Sequence, residues 1–202
     1  MIFDIETFLD NVAKCKRCPK LAPWRKFPSE SHGKRNASAM IVSIAPGGDS
    51  LIQNQFWSGN GGKRLRKVLK TFNVNLEEIF YLTDAVKCGP PGNRKPISKE
   101  VENCKDYLVR EVSIVNPDYI LAFGEIPLKW FLDNFKPKIP LRFSKTTEMH
   151  NDEGYRIIEF DKFKLIPLLH PSNANRFFKD YKKYKGHLGK IFSLILGFES
   201  TS

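Results

Sequence analysis

Ala39-Met40-Ile41-Val42-Ser43-Ile44, running directly into Ala45-Pro46-Gly47-Gly48, is the stretch that decides the fold class. The run has strand length, is apolar on both alternating faces, and stops on a Pro-Gly-Gly turn. A strand buried on both faces belongs to a parallel sheet covered by helices, not to a sheet with one wet side. Similar runs follow at Ile79-Phe80-Tyr81-Leu82-Thr83, at Tyr119-Ile120-Leu121-Ala122-Phe123 before Gly124, and from Phe163 to Leu169, which delivers His170. Helical patterns separate them. Residues 4–14 place Ile5, Phe8, Leu9 and Val12 on one face. Further helices are expected over 63–72, from Ser98 (as N-cap) to just before Pro117, near 126–135, and in the tail from about Asn173. Residues 141–160 read as an irregular hairpin. Strands alternating with helices predict an α/β fold: a three-layer α/β/α sandwich with a central, mostly parallel, four-stranded sheet. No internal repeat or low-complexity linker interrupts it, so residues 1–202 are expected to form one domain. In such sheets function gathers on the loops that leave the carboxyl ends of the strands. Here those are 45–62, 84–96 and 170–177.

The chain is 41% hydrophobic, ordinary for a folded protein and too apolar for a disordered one. No apolar run has the length of a membrane span, and Met1-Ile2-Phe3-Asp4-Ile5-Glu6 lacks the basic start and long apolar stretch of a secretion signal. A cytoplasmic chain with no membrane partner is expected. The net charge is +11, from 33 basic and 22 acidic residues. Such an excess fits a polyanionic partner, because each Lys or Arg that pairs with a phosphate releases a counterion. Two groups concentrate the charge, Lys63, Arg64, Arg66, Lys67 and Lys70, and Lys179, Lys182, Lys183, Lys185 and Lys190. Trp57, Phe72, Phe177, Phe178, Tyr181 and Tyr184 lie within or beside them, a mixture that suits backbone contact plus base stacking.

The four cysteines are Cys15, Cys18, Cys88 and Cys104. Disulfides do not suit a cytosolic chain of this size, and nothing around Cys15 and Cys18 looks thioredoxin-like. A metal site using all four thiolates is the economical reading, with unrelated cysteines as the alternative. Spacing alone does not choose between zinc and an iron–sulfur cluster, although a zinc ribbon would want a second Cys-x-x-Cys knuckle.

Several segments, in order, resemble the iron–sulfur uracil-DNA glycosylases of bacteria and archaea, the family four and five type. Cys15-Lys16-Arg17-Cys18-Pro19-Lys20-Leu21-Ala22 is similar to the family's opening segment. Ala45-Pro46-Gly47 resembles its first turn, and Phe56-Trp57-Ser58-Gly59-Asn60-Gly61-Gly62 its base-packing aromatic segment. Val86-Lys87-Cys88-Gly89-Pro90-Pro91-Gly92-Asn93-Arg94-Lys95-Pro96, with Cys104 beyond it, resembles the Lys-Cys-x-Pro-Pro-x-Asn-Arg-x-Pro stretch, and His170-Pro171-Ser172 the His-Pro-Ser motif. The resemblance implies a monomeric DNA glycosylase of base excision repair that hydrolyses the N-glycosidic bond of uracil or a related deaminated base in DNA. It also implies that Cys15, Cys18, Cys88 and Cys104 hold a structural [4Fe-4S] cluster.

Such an enzyme extrudes its nucleotide into a pocket, stacks on the base, reads its edge, stabilises the leaving anion and positions water. By resemblance, Ala45, Pro46, Gly47, Asn60 and Trp57 surround the base, with Phe56 as the alternative stacking ring. His170 stabilises the leaving group. Ser172, Asn173, Arg176 and Arg94 contact DNA, Arg176 either filling the gap left by the flipped base or holding a phosphate. Two positions depart from the family pattern. Ile44 stands where the common enzymes carry a water-orienting Glu, and a related branch with an apolar residue there uses an Asp where this chain has Asn60. Asp49 is the nearest replacement carboxylate, or else a turn residue serving backbone amides. Asp84 stands where the family has the Asn that reads the pyrimidine edge. An ionised carboxylate only accepts hydrogen bonds, so Asp84 suits an amino group unless it is protonated, or it orients water instead. A glycosylase for another modified base, a catalytically weak iron–sulfur DNA-binding protein and a zinc-stabilised nucleic-acid binder remain the competing readings.

Overall fold

A computed structural model of the chain describes residues 4–24, 32–141, 150–151, 154–171 and 181–197. In chain order the elements are α1 (Ile5–Ala13), β1 (Ala39–Ser43), α2 (Gly48–Gln53), α3 (Asn60–Leu69), α4 (Leu76–Ile79), β2 (Phe80–Asp84), α5 (Ser98–Val115), β3 (Tyr119–Phe123), α6 (Glu125–Asn134), β4 (His150–Asn151), β5 (Gly154–Tyr155), β6 (Ile158–Glu159), β7 (Lys164–Leu168) and α7 (Tyr181–Leu196). The main sheet has the order β2-β1-β3-β7-β6. The first four strands are parallel, and they are the four the apolar runs predict. The sheet has five strands, not the expected four, because β6 adds an antiparallel edge. Its two residues lie in the stretch read as an irregular hairpin and are too short for a pattern signal.

Side-chain alternation along β1 divides the core. Ala39 and Ile41 pack with Leu65 and Leu69 of α3 and with Leu188 and Phe192 of α7 on one face. Met40 and Val42 pack with Leu108 and Val112 of α5 and with Leu128 and Phe131 of α6 on the other. Helices on both faces of a parallel sheet make the three layers. Pro167 sits within β7 without breaking the ladder. The Lys164 N–H points to β3, donating to Asp118 O at 2.8 Å. By alternation the Pro167 nitrogen faces the β6 side, beyond the two-residue reach of that strand.

Helix ends follow local chemistry. Asp4 caps α1 by accepting from the Thr7 N–H at 2.8 Å. Ser98 is the first helical residue of α5, not its cap; Ile97 holds the cap position, and Glu100 accepts the Ile97 N–H at 2.9 Å. That helix ends at Asn116 in the left-handed region, just before Pro117. The predicted start of the tail helix near Asn173 lies outside the described residues, and α7 is described from Tyr181. Among the described residues no helix is long and apolar enough to cross a membrane.

Candidate active site

Strands β1, β2, β3 and β7 end in Ser43, Asp84, Phe123 and Leu168, and a cleft of about 890 Å³ opens above those ends. Its walls are the turn 43–50, residues 56–57 and 59–62 at the start of α3, Asp84, Pro90 with 93–96, 124–126, and Leu169 with His170. Of the residues singled out in the sequence, Ala45, Pro46, Gly47, Asp49, Trp57, Asn60, Asp84, Arg94 and His170 all line this one cleft. Ser172, Asn173 and Arg176 lie outside the described residues.

The turn is fixed from the β2 side. Ala85 and Val86 donate backbone N–H groups to Ser43 O and Ile44 O at 2.9 and 3.0 Å. Gly47 then caps α2, and Asn93 Oδ1 accepts the Gly48 N–H at 2.7 Å. Asn93 adopts φ 55°, a conformation Asn tolerates better than most residues. Sequence reading gave Asn93 no role, although it stands inside the most distinctive motif. Asp49, in the first turn of α2, is exposed, and a Cβ at Gly59 would come within 3.0 Å of its Oδ2.

Asp84 is 3% exposed and pairs in register with Ser43, whose side chain hydrogen-bonds its carboxyl. Burial pushes this carboxyl up to about 7, opposed by the nearby Lys87 ammonium and assisted by Glu111. The acid is therefore divided between its two forms at neutral pH.

The far wall is aromatic. Trp57 and His170 stack with centroids 5.2 Å apart and planes 15° from parallel, and Trp57 meets Phe123 edge-on at 4.9 Å. Trp57 is only 7% exposed and has φ 58°, an unusual conformation for a bulky residue. Two features hold it there. A Cβ at Gly62 would overlap the Trp57 carbonyl, so only glycine fits. Arg66 donates to Trp57 O at 2.6 Å and to Phe56 O at 3.4 Å, and pairs with Glu77. The Trp57 indole N–H is buried with no hydrogen-bond partner among the described residues. His170 is held by its flanks: Tyr184 Oη donates to Leu169 O at 2.6 Å, and Arg64 to Pro171 O at 2.7 Å. Burial lowers the His170 imidazole to about 4, so the ring is neutral at physiological pH.

These contacts revise the electrostatic reading. Within the first basic group Arg64 and Arg66 are bound to the chain's own carbonyls, while Lys63, Lys67 and Lys70 are exposed. Tyr184 is buried and Phe72 packs on the core, so neither is an open stacking surface. Arg94 lines the cleft while paired with Glu100 at 2.6 and 2.9 Å. In the second group Lys182, Lys183 and Lys190 are exposed, and Lys179, Phe177 and Phe178 lie outside the described residues.

Cys15, Cys18, Cys88 and Cys104 line one small cavity with Val12, Arg17, Lys87 and Tyr107, and none of the four is in a disulfide. The Arg17 N–H donates to Cys15 Sγ at 3.4 Å and Asn103 Nδ2 to Cys18 Sγ at 3.3 Å. Burial pushes the Cys104 thiol up to about 11, with Cys88 and Cys18 adding to the rise. Four thiolates at such a point need cationic compensation, which is what a metal group supplies. The donor set therefore fits a thiolate-ligated metal group, although no group of three or more His, Cys, Asp or Glu among the described residues is arranged to hold a metal ion.

Comparison with known proteins matches residues 30–192 to the uracil DNA glycosylase superfamily. Among curated relatives, the Type-4 uracil-DNA glycosylase of Archaeoglobus fulgidus is 27% identical over 169 residues, 83% of this chain and 81% of that protein. The Type-4 uracil-DNA glycosylase of Thermotoga maritima is 30% identical over 168 residues, again 83% and 81%. The Type-5 uracil-DNA glycosylase of Pyrobaculum aerophilum is 31% identical over 150 residues, 60% of this chain and 66% of that protein.

Proposed function

The chain belongs to the uracil DNA glycosylase superfamily, and on that premise we propose that it hydrolyses the N-glycosidic bond of uracil or a related deaminated base in DNA, as a repair enzyme. The observation that carries this reading is the meeting of Asp84, Asp49 and the stacked Trp57–His170 pair in one cleft above the strand ends. Cleavage places negative charge on the departing base and positive charge on the sugar, and water adds to the sugar carbon.

In this reading the flipped base enters between the turn 45–47 and the Trp57–His170 pair. His170, neutral, donates a ring N–H to the base oxygen where charge develops. Asp84 reads the base edge. In its protonated form it donates to a carbonyl and accepts from an N–H, as an amide does, so a carboxyl near 7 is compatible with uracil. Asp49, exposed at the mouth beside Gly59, orients the water that Ile44 has no group to hold, with Asn60 beside it. The exposed lysines of α3 and α7, with Arg94, take phosphates, and Ser172, Asn173 and Arg176 continue that surface.

The four cysteines would hold a [4Fe-4S] cluster of structural role. It ties the segment around Cys15 and Cys18 to the loop after β2 and to α5, and takes no part in bond cleavage. Support comes from the four thiols on one cavity and from the motifs around them. The enzyme acts as a single-domain monomer without further chemistry at the abasic product. A second reading, excision of another modified base, is favoured by Asp84 itself, since its ionised form suits an exocyclic amino group.

Oligonucleotides carrying uracil, hypoxanthine, xanthine, or cytosine and thymine mismatches, assayed for alkali-labile sites, test the reading. Uracil should be released, with affinity falling tenfold or more, roughly, between low and physiological salt. The absence of abasic sites from the whole panel would contradict it.

A further inference from the structure

One group of buried charges has no task in this mechanism. On the α5 side of the sheet Glu111 is fully buried, and Lys87 is 2% exposed. The Tyr81 and Thr83 hydroxyls donate to Glu111 at 2.7 and 2.9 Å. Lys87 Nζ donates to Glu111 Oε2, to Thr83 Oγ1 at 2.6 Å and to the Asp84 carbonyl oxygen at 2.7 Å. All three ammonium protons are therefore used. His32 closes the group, stacked on Tyr81 at 5.1 Å, with Nδ1 2.6 Å from Leu82 O. That carbonyl only accepts, so Nδ1 carries the proton.

A buried ion pair is a weak source of stability, because the cost of removing both charges from water offsets their attraction. What it supplies is fixed geometry. Here the geometry bears on Asp84, whose main chain the ammonium grips and whose carboxyl lines the cleft. The two charges act on that carboxyl in opposite senses. The ammonium favours its ionised form, and the negative charge of Glu111, which repels a second one nearby, favours the protonated form.

We propose that the Lys87–Glu111 pair is a specificity-determining positioning element, which holds Asp84 in the form and orientation that accept a carbonyl-edged base. This rests on the reading role given to Asp84. Neither residue touches the base; both act through Asp84.

The test compares Glu111→Gln with Glu111→Asp, which keeps charge and loses length. Glu111→Gln keeps shape, removes charge and keeps one acceptor oxygen for Thr83 and Lys87, while its NH2 needs the Tyr81 hydroxyl to turn and accept. Both are made in the natural chain and in Asp84→Asn, using the intact protein, with visible absorbance and DNA affinity as controls. Uracil kcat/KM should fall about tenfold in Glu111→Gln, and less in Glu111→Asp. The Glu111→Gln effect should vanish in the Asp84→Asn background, where no carboxyl is left to control. A purely structural role reverses the order, Asp below Gln, or leaves the Glu111→Gln loss intact in Asp84→Asn; either result overturns the proposal. If Glu111→Gln does not fold, Lys87→Met combined with Glu111→Gln carries the test without leaving a lone buried charge: uracil kcat/KM falls because the Asp84 main chain is no longer held, and an unchanged value overturns the proposal. An Asp84→Asn protein inactive on every base overturns the reading role of Asp84 instead. The order of the two Glu111 variants in the natural chain then still decides the coupling.

Discussion

At the β2 end of the sheet the cleft is made of buried charge; at the β7 end it is made of stacked neutral rings. Asp84 shares its proton with solvent near pH 7 and leans on Lys87 and Glu111. His170 is kept uncharged by burial and held flat against Trp57. The two ends suit different tasks. Reading a base requires a group whose donor and acceptor character is set before the base arrives. Stabilising a leaving anion requires a donor whose interaction grows as charge develops, and a neutral imidazole does that without first binding an anion. The two ends also differ in what they cost the fold. The Asp84 carboxyl sits above its usual 3.8, so its burial lowers stability progressively as pH rises from about 4 to about 7. His170 sits below its usual 6.5, so its contribution is full above that pH and is lost as pH falls from there toward about 4.

Breaking the aromatic end should have the largest effect. His170→Ala is expected to lower kcat on uracil by about 10²–10³-fold, the usual scale for one leaving-group donor, while DNA affinity stays unchanged. Single-turnover release together with a binding isotherm checks it, and an equal loss in affinity would count against a transition-state role. Gly62→Ala should come next. The methyl group would fall on the Trp57 carbonyl, so the backbone itself must move, and the stability loss should exceed the roughly 3 kcal/mol at the top of ordinary overpacking. Thermal unfolding reads it, and excision should fall with it because Trp57 no longer backs His170. Trp57→Phe should be mildest. One ring remains to stack, while the indole N–H and part of the fused ring's volume are lost from the core, so kcat/KM should change by less than about tenfold, with a stability loss of about 1–2 kcal/mol. A loss as large as that of His170→Ala would show that the N–H itself meets the substrate.

The fold was legible in the sequence wherever a strand was buried on both faces. Ala39–Ser43, Phe80–Asp84, Tyr119–Phe123 and Lys164–Leu168 announce themselves as apolar runs, and their carboxyl ends locate the cleft. The edge strand Ile158–Glu159 carried no signal, because two residues have no period. The line of site residues from Ala45 to His170 was legible through its motifs. What those residues lean on was less so. Arg66 and Tyr184 read as DNA-facing groups in basic stretches, but long side chains in such stretches can turn inward to orphan carbonyls. Glu111 was readable and was missed. It falls with Leu108, Val112 and Val115 on the buried stripe of α5, and an acid on an apolar stripe implies a buried partner.

The contrast between the two ends is tested most directly by uracil kcat/KM against pH for the natural chain and for Asp84→Asn. The protonated carboxyl reads uracil in this account, so activity should decline as pH rises through about 7. Asp84→Asn, with an amide that needs no proton, should excise uracil at least as well and lose that decline, and it should be the more stable protein at pH 8. An Asp84→Asn protein that binds DNA and keeps its visible absorbance but cleaves no base at any pH would contradict the account and move Asp84 from reading the base to orienting the water.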